Sequence, residues 1–427
     1  MNRSKMALLG LAVVAVAGGF AFKKYSPQTL EKLTRRPDLV TKESLARILS
    51  QSASFYHFPT EMEIPGIAPK VVLQYSFDPT LQDEMENLFR QYRPDYGAFV
   101  AMDATTGQIL SVVSYSEKSD MKENMAFRAT FPSASVFKVV TAAAAIENQK
   151  YSGDTPIQFN GANHTLYKHN ILKNKINRWT RQATLKDAFA KSINTVFGRI
   201  GAFTVGPVEL RTYADRFGFN RQIQADFLFQ QGKAPIPDDA WGIAEAASGY
   251  TRDNTMSPMQ GALIAATIVN EGVMMEPYLV QSVYSPEGQE IYSAKPKVAQ
   301  LSIEPSTAAE LRRLMRETVI RGTSRKSFRG FERTKFKDID VGGKTGSLTG
   351  TDPQGKYDWF VAFAEGRGRR IAFASLTIHQ KLWRVKSSYV VRKAIETYFK
   401  KPMAAPVVAP ASVTGAAGSA VTTAAQN

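Results

Sequence analysis

An α+β fold, with one sheet drawn from both ends of the chain, is what three patterns predict when read in order. Two strand-like runs lie early, in "YGAFVAMDATTGQILSVVSYS" (96–116), around the hairpin signal "DATTG". The middle of the chain reads as helical. Three strand-like runs come late: "DVGGKTGSL", "YDWFVAFAEG" and "RIAFASLTIHQ", the last two joined by the turn "EGRGRR". Strands at both ends around a helical centre make one α+β domain.

Each element has its own signal. In "MNRSKMALLGLAVVAVAGGFAFKKYS", Arg3 and Lys5 precede an uncharged run from Met6 to Phe22, closed by Lys23 and Lys24. That run reaches the short end of a membrane span. Ala15-Val16-Ala17 would suit a cleaved signal peptide, but the apolar run continues past it, so 1–24 is expected to be a membrane anchor. The cations that follow the span do not favour exporting what comes after it. Residues 25–74 are mixed and polar, with the helical pattern "TKESLARILSQ" behind a Thr41 cap, and are expected to form a short stalk. A helix opens in "PSASVFKVVTAAAAIE" (132–147), and others are expected in "ATLKDAFAKSINTVFGRIG" (183–201) and "STAAELRRLMRETVI". "SPMQGALIAATIVNEG" (257–272) has Ser257 as cap, Pro258 in the first turn and Gly272 as stop. The folded domain is expected over 75–400, and 401–427, uncharged and rich in small residues past Lys401, as a disordered tail.

With 427 residues, 44% hydrophobic and 22% charged, the chain can bury a sizeable core. Its formal charge is +16, with a dense basic run in "RRLMRETVIRGTSRKSFRGFERTKFK" (312–337). Nucleic acid, an anionic membrane or an acidic polymer would all suit such a surface. No nucleic-acid recognition motif or stacking platform accompanies it, so no nucleic-acid partner is expected. The absence of cysteine excludes disulfides, thiol nucleophiles and cysteine-bound metal. The four histidines are scattered without an HExxH pattern, and no metal or cofactor is expected. A serine–histidine triad lacks a G-x-S-x-G elbow to support it.

Three short motifs carry the chemistry. Ser-x-x-Lys occurs twice, about as often as chance allows in a chain this long. Ser119-Asp-Met-Lys122 sits in the charged stretch "SEKSDMKEN" and reads as a solvated loop. Ser135-Val-Phe-Lys138 opens a helix that is apolar all round and therefore buried. Residues three apart share a face, which brings the Lys138 amine within reach of the Ser135 hydroxyl. A capping serine with a snorkelling lysine is the plainer alternative for this motif alone. The second motif is Ser192-Ile-Asn194, and the third is Lys344-Thr345-Gly346-Ser347 on an expected strand. Each of these two occurs once.

The order Ser-x-x-Lys, Ser-x-Asn, Lys-Thr-Gly, in these contexts, resembles the penicillin-binding protein transpeptidase family, which shares its motifs with serine β-lactamases. "SFDPTLQDEMENLF", "SPMQGALIAATIVNEGVMMEPYLV" and "RGTSRKSF" are similar to further parts of that family, so the likeness spans about 75–398. The resemblance implies a β-lactamase/transpeptidase-like fold: an antiparallel five-stranded sheet flanked by an all-helical subdomain. By the same resemblance Ser135 is the nucleophile and Lys138 its base, with a pKa depressed by burial and by a second cation, Lys344. Ser192 would relay protons. Asn194 would hold Lys138 and the substrate amide, and Lys344 and Thr345 the terminal carboxylate of a D-Ala-D-Ala stem peptide or a β-lactam. Gly346 would leave room for substrate backbone, and the N–H groups of Ser135 and Ser347 would form the oxyanion hole.

The resemblance implies a D,D-transpeptidase outside the cytoplasmic membrane, with β-lactams as inhibitors and no cofactor. Class A β-lactamases use a Glu-x-x-x-Asn element, and the corresponding stretch "NRQIQADFLFQQGKAPIP" has no glutamate. A D,D-carboxypeptidase or β-lactamase using the same motifs, or a catalytically silent transpeptidase-like scaffold in a cell-wall synthesis complex, are the alternatives. Only the short 25–74 segment precedes the expected domain, so the chain resembles a minimal class B member. Glycan polymerisation would then come from a separate glycosyltransferase or morphogenetic membrane proteins.

Overall fold

The computed structural model describes residues 40–51, 58–64, 68–118, 123–173 and 175–400. The expected anchor (1–24), part of the expected stalk, the Ser119–Lys122 motif and the tail (401–427) lie outside the described residues. Among the described residues no helix is long and apolar enough to cross a membrane.

The chain begins with α1 (Lys42–Gln51), β1 (Glu61–Ile64) and β2 (Ala68–Tyr75). Then come α2 (Pro79–Tyr92) and the hairpin β3 (Tyr96–Asp103) and β4 (Ile109–Ser116). A helical region follows: α3 (Lys138–Gln149), β5 (Pro156–Phe159), α4 (Lys168–Leu172), β6 (Arg181–Thr184), α5 (Leu185–Ala190), α6 (Asn194–Ile200) and α7 (Ala240–Ser248). The chain continues with α8 (Pro258–Val269), β7 (Val280–Tyr284), β8 (Glu290–Ser293), α9 (Pro305–Ile320) and α10 (Arg325–Phe328). It closes with β9 (Asp340–Thr351), β10 (Gln354–Gly366), β11 (Arg369–His379) and α11 (Ser387–Tyr398).

The main sheet is antiparallel and five-stranded, in the order β9-β10-β11-β3-β4. The early hairpin therefore completes a sheet begun by the last three strands, as expected from the sequence. Side chains alternate across it, and both faces are covered. On one face Tyr96, Ala98, Val100, Trp359, Val361, Ala374 and Leu376 join the larger core with α8. On the other, Phe99, Phe360 and Phe373 meet Leu81, Met85 and Phe89 of α2 and Val390, Val391 and Ile395 of α11. Helix α8 starts as the sequence predicts, with Ser257 Oγ accepting from Gln260 N–H at 3.1 Å, and all its residues are buried.

Two expectations change. The segment read as a stalk includes β1 and β2, which form a second antiparallel sheet in the order β1-β2-β7-β8. Tyr75 pairs with Val280 and Leu73 with Val283, so the boundary drawn between 74 and 75 falls inside a strand. Strand β1 is short and half polar, and β2 pairs on its other side with β7 some two hundred residues away, which hid the sheet from local pattern. The helix expected over 183–201 is two helices, α5 and α6, because Ser192 adopts φ +54° between them.

Asp226 fastens the second sheet to the rest. It is fully buried, and its carboxylate accepts the Leu279 N–H at 2.8 Å and the Val280 N–H at 2.7 Å. Burial pushes it up to about 6 against the pull of those N–H groups. Asp226→Ala leaves both donors unsatisfied and should cost roughly 2–4 kcal/mol. Denaturant unfolding reads that loss directly; a midpoint equal to wild type would show that Asp226 holds nothing.

Candidate active site

Ser135 sits on a tight 3₁₀ turn, Ala134–Phe137, leading into α3. The turn is held from several sides. The Trp359 indole donates to Pro132 O at 2.9 Å, and Ser133 N–H donates to Asn254 O at 2.7 Å. Ala134 adopts φ +48°, a costly conformation for a non-glycine residue. Helix α7 ends against it at Gly249, which has φ +68° and whose Cβ, were there one, would lie 1.9 Å from Ala134 O. Only glycine fits there.

That close approach aims the last carbonyl of α7 at Lys138. The lysine is wholly buried and makes three contacts. Its Nζ lies 2.7 Å from Ser135 Oγ and 2.8 Å from Asn194 Oδ1, and it also donates to Ser248 O. A helix-terminal carbonyl and an amide oxygen only accept, so they take two N–H donors. A neutral amine has two such donors and one lone pair, which leaves the lone pair for the Ser135 hydroxyl. Burial, and then the Lys344 cation, hold Lys138 well below the ordinary lysine range, and so favour that neutral form. The bland alternative of a snorkelling lysine is excluded by its burial.

The second motif enters from the helical side. The left-handed Ser192 breaks the helix and lets its hydroxyl meet Lys344 Nζ at 3.0 Å. Two residues on, Asn194 starts α6. Its backbone N–H donates to Asn163 O at 2.8 Å and its Nδ2 to His164 O at 2.9 Å, which points Oδ1 at Lys138. The third motif lies on β9, an edge strand of the main sheet. Lys344 is fully buried, donates to Thr345 O at 2.9 Å, and is lowered by burial to about 7. Among the described residues no carboxylate pairs with either lysine. The Thr345 hydroxyl hydrogen-bonds the Thr323 hydroxyl. A Cβ on Gly346 would come within 3.2 Å of Ser133 O, so the absence of a side chain also lets β9 lie against the serine turn.

These groups converge on a cleft of about 480 Å³, walled by Ser135, Ser192, Asn194, Thr345, Gly346 and Ser347 with Lys138 and Lys344 buried behind. All eight residues singled out in the sequence are thus brought to one place. Sequence reading missed His164, Tyr250, Thr323, Asp358, Trp383 and Lys386, which also line the cleft. None lies within a recognisable motif; the nearest signal was Thr323 in "RGTSRKSF". Among the described residues no cluster of three or more His, Cys, Asp or Glu could hold a metal.

A serine facing a desolvated lysine, with a second lysine on the adjoining sheet edge, is an arrangement for serine acyl transfer rather than metal or triad chemistry. The chain belongs to the penicillin-binding protein transpeptidase domain family, whose pattern matches residues 97–401. It is 30% identical over 320 residues to the peptidoglycan D,D-transpeptidase PbpA of Mycolicibacterium smegmatis, covering 66% of this chain and 62% of that protein. The PbpA of Mycobacterium tuberculosis is 29% identical over 321 residues, again with 62% of its length spanned. The crystal structure of PBPA from Mycobacterium tuberculosis superposes with a TM-score of 0.64 at 26% identity, covering 77% of this chain and 82% of that one. A ceftriaxone acyl-enzyme complex of the same protein gives 0.64 at 25% identity, with 78% and 80% covered.

Two outcomes follow from the geometry. Removing the Lys344 cation stabilises protonated Lys138 and raises its pKa, so in Lys344→Met the rising limb of the Ser135 acylation rate should move to higher pH. A pH–rate profile with the limb unmoved would show that the lysines do not interact. Gly249→Ala forces the serine turn to shift and should slow acylation about 10²-fold, measurable by stopped-flow mixing with a chromogenic β-lactam.

Proposed function

We propose that this chain is a peptidoglycan D,D-transpeptidase that cross-links stem peptides through a Ser135 acyl-enzyme and is inhibited by β-lactams. The observation that carries the reading is the three-way contact of the buried Lys138 amine with Ser135, Asn194 and Ser248. Neutral Lys138 takes the Ser135 proton as Oγ attacks the carbonyl of the penultimate D-alanine. The developing oxyanion is met by the N–H groups of Ser135 and Ser347, a donor of this kind being worth about 3 kcal/mol. As the C–N bond breaks, Ser192 relays the proton now on Lys138 to the departing D-alanine amine. An acceptor amine then attacks the acyl carbon and gives a proton to Lys138, which returns it to Ser135 Oγ as the ester bond breaks. The terminal carboxylate is bound by Lys344 and Thr345, and Asn194 holds the substrate amide beside Gly346.

The β-lactamase alternative is disfavoured by the stretch 220–237. Its sole carboxylate, Asp226, is spent on backbone N–H groups of 279 and 280. The uncharged run at 6–22 supports a membrane anchor, and stem peptides, the substrate of this chemistry, lie outside the cytoplasmic membrane, which is where the catalytic domain would work. A separate glycosyltransferase, or morphogenetic membrane proteins, would supply the glycan strands.

Fluorescent penicillin tests the reading. Stable labelling should occur in wild type and fall about a thousandfold or more in Ser135→Ala. Rapid drug consumption without label would make the protein a β-lactamase. With a pentapeptide donor and an amine acceptor, cross-linked product should outweigh hydrolysed tetrapeptide; the reverse ratio would make it a carboxypeptidase, and no turnover or label a scaffold.

A further inference from the structure

The segment between β5 and β6 is unlike the rest of the surface. Residues 155–186 contain six lysines and arginines and no aspartate or glutamate. Lys168, Lys173, Lys175, Arg178 and Arg181 are exposed, and among the described residues none of the five forms an ion pair. Large apolar side chains stand out between these cations: Ile176 is 70% exposed, Trp179 71%, Tyr167 52% and Leu172 42%. The Arg178 guanidinium lies over the Trp179 ring, 4.8 Å from its centroid. A solvated charged face does not need a tryptophan at its centre, and an apolar patch of this size in a polar rim marks a binding surface.

The patch adjoins the cleft. Its root at Asn163 and His164 supplies the two carbonyls that hold Asn194, and His164 itself lines the cleft wall. A ligand that leaves the cleft past His164 enters the segment that carries Tyr167, Trp179 and their cations. Five unpaired cations call for a polyanion, and flat exposed rings suit the faces of sugar rings. A bilayer would satisfy the charge, but lipid pressed on this surface would also cover the mouth of the cleft beside it. Among the described residues the one helix in the segment, α4, has five residues and offers no amphipathic face to lie in a membrane.

We infer that the 163–181 segment is an exosite that holds an acidic glycopeptide strand, keeping one stem peptide of that strand at the cleft. The inference rests on the transpeptidase reading for the identity of the strand. Cations would pair with stem-peptide carboxylates while Trp179 and Tyr167 stack on the glycan, so that a polymer engages two places at once. A small β-lactam would engage only the cleft.

The test uses the purified full chain and three variants: Lys173→Glu/Lys175→Glu/Arg178→Glu, Trp179→Ala, and the conservative Lys173→Arg/Lys175→Arg. Binding to insoluble peptidoglycan sacculi is measured by co-sedimentation across a salt series, with phosphatidylglycerol vesicles and fluorescent-penicillin labelling in parallel. The charge-reversal variant should lose sacculus binding about tenfold or more and with it most of the salt dependence. Trp179→Ala should weaken binding, and the arginine variant should retain it. All three should label with penicillin at the wild-type rate and bind vesicles as wild type does. Unchanged sacculus binding in the first two variants would overturn the exosite while leaving the cleft intact. Loss of vesicle binding with sacculus binding unchanged would also overturn it, in favour of a lipid surface. Absence of penicillin label in wild type would instead overturn the reading of the cleft, and with it the identity assigned to the strand.

Discussion

Two buried lysine amines, Lys138 against the Ser135 hydroxyl and Lys344 against that of Ser192, with no carboxylate to neutralise them among the described residues, form the constraint on which the site depends. A desolvated ammonium is costly, and two of them side by side are costlier still. Loss of a proton relieves that cost at Lys138, and the surroundings accommodate the resulting amine. Asn194 Oδ1 and Ser248 O accept its hydrogens, and the Ser135 hydroxyl faces its lone pair. Lys344 contributes through charge, and through the hydrogen bond that fixes the Ser192 hydroxyl.

Holding that arrangement takes three parts of the chain that are far apart in sequence. The serine turn and Lys138 belong to the start of α3, Ser192 and Asn194 to the break between α5 and α6, and Lys344 to the sheet edge. Rigid partners brace each part. Gly249 permits α7 to end on the turn, Asn163 and His164 set the asparagine, and the absence of a side chain at Gly346 lets β9 close against Ser133. Backbone strain appears where these parts meet, at Ala134 and Ser192. Such strain persists only where the surrounding structure over-determines the conformation, and here the strained residues flank or carry site hydroxyls.

The electrostatics of the molecule separate into two regimes. Inside the cleft wall, burial lowers the pKa of both lysines, and the charge of Lys344 adds to the effect at Lys138. Across the outer surface, many of the cations that make up the net charge of +16 are solvated or paired, as with Arg316 on Asp340 and Arg321 on Asp187. The basic run at 312–337 is partly accounted for in this way. The loop at 163–181 differs, since among the described residues none of its lysines or arginines forms an ion pair.

Local signals in the sequence sufficed for much of this. The Ser257 cap with Pro258, the apolar runs of β10 and β11, and the hairpin at "DATTG" each depend on residues a few positions apart. Patterns of that range survive without knowledge of the fold. The eight motif residues were also legible, because order and type alone marked them. Other features were decided by tertiary structure. The sheet joining 68–75 to 280–284, the break at Ser192 and the cleft residues Thr323, Asp358 and Trp383 each depend on a partner far along the chain. So does the meeting of the Ser248 carbonyl with Lys138, across 110 positions. A backbone carbonyl carries no sequence signature. Its role arises only when the end of one helix is brought against the start of another.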